Sequence, residues 1–370
     1  MSSHRVRVGI IGCGEVTQVV HLPNLVFLSE KFHVTYLCDV SPGALQLCSS
    51  RLPHPHKTTS DPNELCTASD VDVVFVLNSD EYHAEHSRLA LFSGKHVFVE
   101  KPVALSSSAV NSIIDAEAET GNKVMVGYMR RYASAFEDAM KEIGGAGEIL
   151  YAKVRDIIAP NPVFISQSGT FPQRFSDVSE ADKEALSQRA ATHVHQGLAV
   201  EAEVTVSKLS TDIWRILGSL GSHDLSLMRE AFGMPESVLG CNLQFPIWTV
   251  LFKYPTFAVT YESGFDEVPR FDAHIEIFGK KKTVKVIYDT PYVKGLPVTM
   301  VVRESVEGDE NAFQERTIRR TYEDPYTLEM LELWEMIVND KPVKTTLADA
   351  RKDLLVNKMI VQAAQKLGQL

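Results

Sequence analysis

The amino-acid sequence predicts an α/β protein, with an N-terminal doubly wound parallel sheet and a C-terminal α/β domain built on an open, mainly antiparallel sheet. Three observations predict it. Strand and helix signals alternate from the N-terminus to residue 127, a glycine-rich turn follows the first strand directly, and after Ala146-Gly147-Glu148 strands succeed one another without intervening helices. At 370 residues the chain exceeds what one core usually supports, so the expected division is into domains 1–127 and 128–370.

The first strand, Val6-Arg7-Val8-Gly9-Ile10-Ile11, is short and β-branched, as a strand buried on both faces should be. Gly12-Cys13-Gly14-Glu15-Val16-Thr17 follows. In a Rossmann unit the first glycine permits the tight turn and the second lets the backbone approach a pyrophosphate. The helix beginning at Glu15 and Val16 adds N–H groups and a partial positive charge. Thr17 stands where a third glycine would serve helix–strand packing. The second strand, His33-Val34-Thr35-Tyr36-Leu37-Cys38, ends in Asp39, whose carboxylate can accept from ribose hydroxyls and would repel a 2′-phosphate. No arginine follows it in Val40-Ser41-Pro42, so NAD is favoured over NADP. The alternative role for Asp39 is to cap the next helix.

Alternation continues through the strand 71–77, a helix from Tyr82 to Ser93, the strand 96–99, a helix from Ser106 to Thr120 and the strand 123–127. Parallel strands with right-handed crossovers are the expected result. Further strands are read near 149–158, 238–245, 247–253, 257–262, 273–278, 283–288 and 298–304. Two excursions interrupt them. Residues 159–212 are rich in Ser, Gln and Ala with a charged helical middle, and residues 304–315 are acidic and read as a surface loop. Gly279-Lys280-Lys281-Lys282 reads as a basic turn between two strands. Two helices, near 326–339 and 347–367, close the chain.

The net charge of −11 argues against a nucleic-acid surface. No apolar stretch approaches membrane-spanning length, and Met1-Ser2-Ser3-His4-Arg5 leads straight into the first strand, so neither a membrane nor a signal peptide is expected. The five cysteines form no C-x-x-C pair and read as reduced thiols of a cytoplasmic protein.

One tripeptide sharpens the reading. Glu100-Lys101-Pro102 closes the apolar strand 96–99 and puts one lysine at the carboxyl edge of the sheet, where open α/β folds bind ligands. Together with Val8-Gly9-Ile10-Ile11-Gly12-Cys13-Gly14, His83-Ala84-Glu85, Gly94-Lys95-His96-Val97, Arg130-Arg131-Tyr132 and Gly218-Ser219-Leu220-Gly221-Ser222-His223-Asp224, it makes the chain resemble the glucose-fructose oxidoreductase, inositol dehydrogenase and MocA family over nearly its whole length. The resemblance implies a Rossmann domain, a second domain whose open sheet makes dimer or tetramer contacts, and hydride transfer to or from a sugar, cyclitol or related small molecule. It extends the expected cofactor contacts beyond Gly12, Gly14, Glu15, Val16 and Asp39 to Asn78, His83, Glu100 and Lys101. It also implies a cis Lys101–Pro102 bond.

A dehydrogenase needs a base near the reacting hydroxyl and a donor or positive charge for the developing oxyanion. Lys101 can supply the charge. His223, in an otherwise apolar helical stretch, is the candidate acid/base because a histidine ordinarily titrates near neutrality; its alternative is a structural helix cap. Ser219, one turn earlier on the same face, completes the expected catalytic group. Many relatives carry an aspartate there, in a D-x-G-x-H pattern. Either Lys101 and His223 suffice, or Asp156 or Asp224 contributes, or redox activity is lost and the chain is a nucleotide-binding sensor. A transient-redox glycosidase is a further possibility. Arg130, Tyr132 and Asp156, with Lys101 and His223, are the expected substrate contacts.

Weaker constellations remain. His193-Val194-His195 with Glu201 and Glu203 has metal-ligand chemistry, but a solvated helix explains it better, and no metal is expected. His54-Pro55-His56-Lys57 reads as an exposed turn. Cys13 fits the nucleotide turn by size. Between Asn161 and Arg174, the mixture of Phe164, Gln167, Ser168, Phe171 and Arg174 suits polyol recognition and equally an ordinary packed loop.

Overall fold

The computed structural model describes residues 5–370, the side chain of Glu310 excepted. The chain forms two compact units. The first consists of the segment ending at Tyr128 together with Thr170–Glu201 and Glu329–Leu354; the second holds Met129–Gly169, Ala202–Leu328 and Leu355–Leu370. The position 127/128 read from the sequence falls at the end of the first unit's opening segment, and two later segments join that unit.

The first unit is a six-stranded sheet in the order β3-β2-β1-β4-β5-β6. Its strands are β1 (Val6–Ile11), β2 (Phe32–Cys38), β3 (Lys57–Thr59), β4 (Val73–Val76), β5 (His96–Glu100) and β6 (Val124–Gly127). All pairs are parallel, with Ile11 opposite both Cys38 and Val76, and Glu100 opposite Gly127. Chain order reverses beside β1, which puts the glycine turn at the topological switch point. Helices cover both faces, so β1 and β4 are apolar throughout apart from Arg7, which pairs with Asp72. After the turn, Thr17–His21 is a π-helical turn ahead of Leu22–Phe27. Pro23 lacks the N–H that an α-helical ladder would require there, which accounts for the irregularity.

The second unit carries an eight-stranded sheet in the order β14-β13-β12-β11-β7-β10-β9-β8. Its strands are β7 (Ile149–Ile158), β8 (Ser237–Asn242), β9 (Ile247–Lys253), β10 (Ala258–Phe265), β11 (Phe271–Gly279), β12 (Lys282–Tyr288), β13 (Thr299–Val306) and β14 (Asp309–Ile318). Only β7 and β10 run parallel; the other pairs are antiparallel. Burial alternates along β9, with Trp248, Val250 and Phe252 inward and Ile247, Thr249, Leu251 and Lys253 outward. One face is therefore core and the other is open.

The acidic stretch 304–315 is not a surface loop: it turns at Gly308 and returns as β14, the edge strand. Its ladder is joined by charged cross-strand pairs, Arg303 with Glu315 at 2.7 Å and Arg316 with Glu304 at 2.9 Å, and Phe313 stays 74% exposed. A charged edge strand lacks the apolar alternation that identifies strands from sequence. The turn read at 54–57 is half-buried at its histidines: His54 stacks on His33 and His56 bonds to Ser49. Among the described residues no helix is long and apolar enough to cross a membrane.

Candidate active site

The glycine turn is shaped by two constraints. Gly12 has φ +103°, and a Cβ there would stand 2.5 Å from the Asn78 backbone nitrogen, so glycine is needed for both conformation and clearance. At Gly14 a Cβ would meet nothing within 4 Å, so the surface above the turn is open. Glu15 and Val16 lie in the first helical turn, whose N–H groups have no intrahelical acceptor. This open cradle of backbone donors fits a pyrophosphate. Thr17 in place of the third glycine is buried and donates its hydroxyl to the Gly12 carbonyl at 2.6 Å, tying turn to helix.

Asp39 lies at the end of β2, half-buried, and accepts from the backbone N–H groups of Cys13 at 2.6 Å and Ser41 at 2.7 Å. Burial pushes its carboxyl up, opposed by those two N–H groups. The cap of the following helix, Pro42–Ser50, is Ser41 and not Asp39. Each carboxylate oxygen of Asp39 keeps lone-pair capacity beyond its single backbone bond.

His83 is 2% exposed, with Nδ1 2.8 Å from the Pro102 carbonyl and Nε2 3.0 Å from the Asn78 carbonyl. Burial pushes its pKa down, and the neutral ring, donating to one of these two carbonyls, sits between the loop after β4 and the Lys101–Pro102 turn. Its place is behind the site, holding backbone. Asn78 is oriented in turn by His86, which burial holds at about 4, so that its neutral Nδ1 takes the Asn78 amide at 3.0 Å.

The Lys101–Pro102 peptide is cis. Glu100 is buried beneath it, accepting from the Lys101 N–H at 3.1 Å and lying 2.7 Å from His21 Nε2. Burial opposes its ionisation, but His21 and Lys101 outweigh burial and hold it below the usual carboxylate range. Lys101 itself is half-buried at the carboxyl end of β5. Glu329, completely buried, lies within electrostatic reach of Glu100, and burial pushes its carboxyl far above the usual range. His21 and Glu329 were not found by sequence reading. Neither partner is near in sequence, and Glu329 is one of three glutamates on its helix, so nothing local singles it out.

In the second unit, Arg130 is 4% exposed and sits between two buried carboxylates, donating to Asp156 at 3.0 Å and to Asp224. Its guanidinium lies 5.5 Å from the Tyr288 ring, and the Tyr288 hydroxyl donates to the Arg130 carbonyl at 3.0 Å. Burial pushes the Asp224 carboxyl above its usual range, and Arg130 opposes that rise. Arg130 and Asp156, expected as substrate contacts, are thus committed to each other in the core, and Tyr132 is 5% exposed. The three charged groups are paired through Arg130. Asp224, next to His223 in sequence, is likewise engaged with Arg130.

His223 is the second residue of the helix Ser222–Phe232 and is half-buried. Ser219 falls in the π-helical turn Leu217–Gly221, exposed, with its hydroxyl 3.5 Å from the Ile216 carbonyl. Glu201 caps the helix Ser107–Thr120, accepting from the N–H groups of Ser107 and Ser108 at 2.6 and 3.0 Å.

Residues 6–128 match the model of an oxidoreductase family with an NAD-binding Rossmann fold. That model is of the Gfo/Idh/MocA family, and the match covers about the N-terminal third of the chain. An inositol 2-dehydrogenase of Salmonella paratyphi B is 33% identical over 144 residues, 39% of this chain and 42% of that protein. A scyllo-inositol 2-dehydrogenase (NAD(+)) of Bacillus subtilis is 31% identical over 170 residues, 45% of this chain and 49% of that protein. The matches thus span less than half the length of these curated relatives. A 3-ketoreductase of Actinomadura kijaniata, solved with TDP-benzene and NADP, superposes with a TM-score of 0.69 over 98% of each chain at 14% identity. That likeness is one of fold.

Proposed function

We propose that the protein is an NAD-dependent oxidoreductase that transfers a hydride between nicotinamide and a hydroxyl or carbonyl carbon of a cyclitol, sugar or related small molecule. The observation that carries the reading is the first unit's own geometry. An open glycine cradle, an acid at the end of β2 and a lysine at the carboxyl end of β5, buttressed by Glu100 and His21, occur in one sheet whose strand order is that of dinucleotide-binding folds. The kinship with inositol dehydrogenases supports the substrate class.

When bound, the nicotinamide accepts or donates the hydride. The chain's own residues do the rest. Gly12, Gly14, Glu15 and Val16 present backbone to the pyrophosphate, and Asp39 accepts from the adenosine ribose. The Lys101 ammonium steadies charge on the reacting oxygen, and His223 takes or returns the hydroxyl proton. Glu100 and His83 fix the backbone on which Lys101 stands. Arg130, Asp156 and Tyr132 support the substrate side from the core. Ser219 carries a hydroxyl where many relatives of the resembled family have a carboxylate.

The open face of the second sheet, with Leu251, Ile287 and Phe313 exposed on it, supports assembly into a homo-oligomer, which analytical ultracentrifugation tests. The activity is tested by incubating the protein with NAD(+) and a panel of inositols and sugars. Substrate-dependent NADH accumulation is expected. Tight NAD(H) binding without turnover on any member would favour a sensor, and glycoside cleavage without net NADH would favour transient redox chemistry.

A further inference from the structure

The stretch Phe171–Asp177 of the first unit lies along the nucleotide turn. Its Phe171 carbonyl accepts from Arg51 at 2.9 Å, Gln173 exchanges backbone bonds with the Gln18 side chain at 2.8 and 3.2 Å, and Arg174 pairs with Glu15 at 3.2 Å. Phe175 packs on Gly43, where a Cβ would stand 2.4 Å from its ring. Asp177 accepts from the Ser41 hydroxyl at 2.5 Å and from the Gly43 N–H at 2.7 Å.

Those two donors open the helix Pro42–Ser50, which begins three residues after Asp39. A hydroxyl and an N–H at a helix N-terminus, beside the residue that meets the adenosine ribose, are the receptor chemistry for a ribose phosphate. Every donor of this helix start is accounted for. Ser41 N–H goes to Asp39, Pro42 has none, Gly43 N–H goes to Asp177, Ala44 N–H goes to the Ser41 hydroxyl at 3.1 Å, and Leu45 N–H goes to the Ser41 carbonyl at 3.0 Å. The Ser41 proton is also spent on Asp177. A carboxylate from a segment more than 130 residues away therefore fills the place an incoming phosphate would need.

We propose that Asp177 is a second specificity-determining residue, which acts with Asp39 to exclude a cofactor bearing a 2′-phosphate by occupying the donors of that phosphate and repelling its charge. This rests on the reading of the first unit as an NAD(H) site. Asp39 alone would leave Ser41 and Gly43 available, and substitution at Asp39 alone would leave the receptor blocked. The two carboxylates also act on each other electrostatically, Asp177 raising the Asp39 carboxyl.

The test measures dissociation constants of NADH and NADPH by calorimetry for the unaltered protein, Asp177→Asn and Asp177→Ala, with adenosine 2′-monophosphate as a probe of the phosphate position alone. The ratio of NADPH to NADH dissociation constants should fall roughly tenfold or more in Asp177→Ala, the equivalent of one freed charge-assisted hydrogen bond. Asp177→Asn, which keeps an acceptor on the same donors, should fall between. Adenosine 2′-monophosphate should bind Asp177→Ala more tightly than the unaltered protein, with an affinity that weakens as salt rises. Because the readout is a ratio, loosening of the segment that weakens both cofactors alike does not mimic the effect. A ratio unmoved in both variants, in a protein that binds NADH, overturns the role of Asp177. Failure of the unaltered protein to bind either cofactor overturns the NAD(H) reading itself.

Discussion

Glu329→Gln isolates one buried acid. The side chain is 0% exposed and lies near the negative Glu100, so burial and like charge both favour its protonated form. An acid raised in the folded state contributes stability that is fully present below its unfolded pKa, near 4.3, and is lost as pH rises toward the folded value. Within that window one retained proton changes stability by about 1.4 kcal/mol per pH unit. Glutamine is neutral throughout and removes this slope, at the cost of a roughly constant penalty of about 1 kcal/mol for mismatched hydrogen bonds. The variant should therefore be slightly weaker than the unaltered protein near pH 5 and gain on it steadily as pH rises. Urea denaturation of both proteins at intervals from pH 5 to 8 gives the difference directly. Parallel stability curves across that range would show that Glu329 is ionised in the fold, and the picture of Glu100 as the single charged acid beneath Lys101 would fail.

Lys101→Ala should lower kcat about a hundredfold or more while NAD(H) binding by titration changes little, because the proposed cofactor contacts are the glycine turn and Asp39; near-normal turnover on a true substrate would remove Lys101 from the chemistry. His223→Asn should lower turnover on the order of 10² to 10⁴ and erase one limb of the pH–rate profile, and Ser219→Asp should move that limb to higher pH. An active His223→Asn enzyme would place the base elsewhere. Arg130→Met leaves Asp156 and Asp224 buried without their cation and should destabilise the second unit by about 3 to 5 kcal/mol, read as a lowered melting temperature. A variant as stable as the parent would mean that the carboxyls find another partner.

Much of the first unit was legible because its signals are local. A β-branched run, Gly12 at the turn and Asp39 at a strand end each follow from the backbone requirements of a few adjacent residues, and Glu100-Lys101-Pro102 names its own position. What stayed hidden was long-range. His21 meets Glu100 across the sheet, Asp177 reaches Ser41, and Glu329 lies by Glu100, and none of these residues carries a sign of its partner in its own neighbourhood. Arg130 and Asp156 were expected as separate substrate contacts, and nothing in either neighbourhood announced their pairing. Their burial, which turns them toward each other, depends on the whole sheet face. β14 escaped because charged edge pairing leaves no apolar rhythm to follow.

The first unit is stitched from distant parts of the chain. Val126 at the far edge strand gives its N–H to the Thr345 carbonyl, the Tyr128 hydroxyl bonds to Asp353, and Glu201 caps a helix that starts at Ser107. A ribosome that has released residues 1–128 has therefore delivered every strand of this sheet but not the groups that finish it. Those arrive with residue 354, after the whole second sheet has emerged. Completion of the nucleotide fold is thus timed to late synthesis, and a fragment cut after β6 would expose an unfinished edge where the full chain has a covered one.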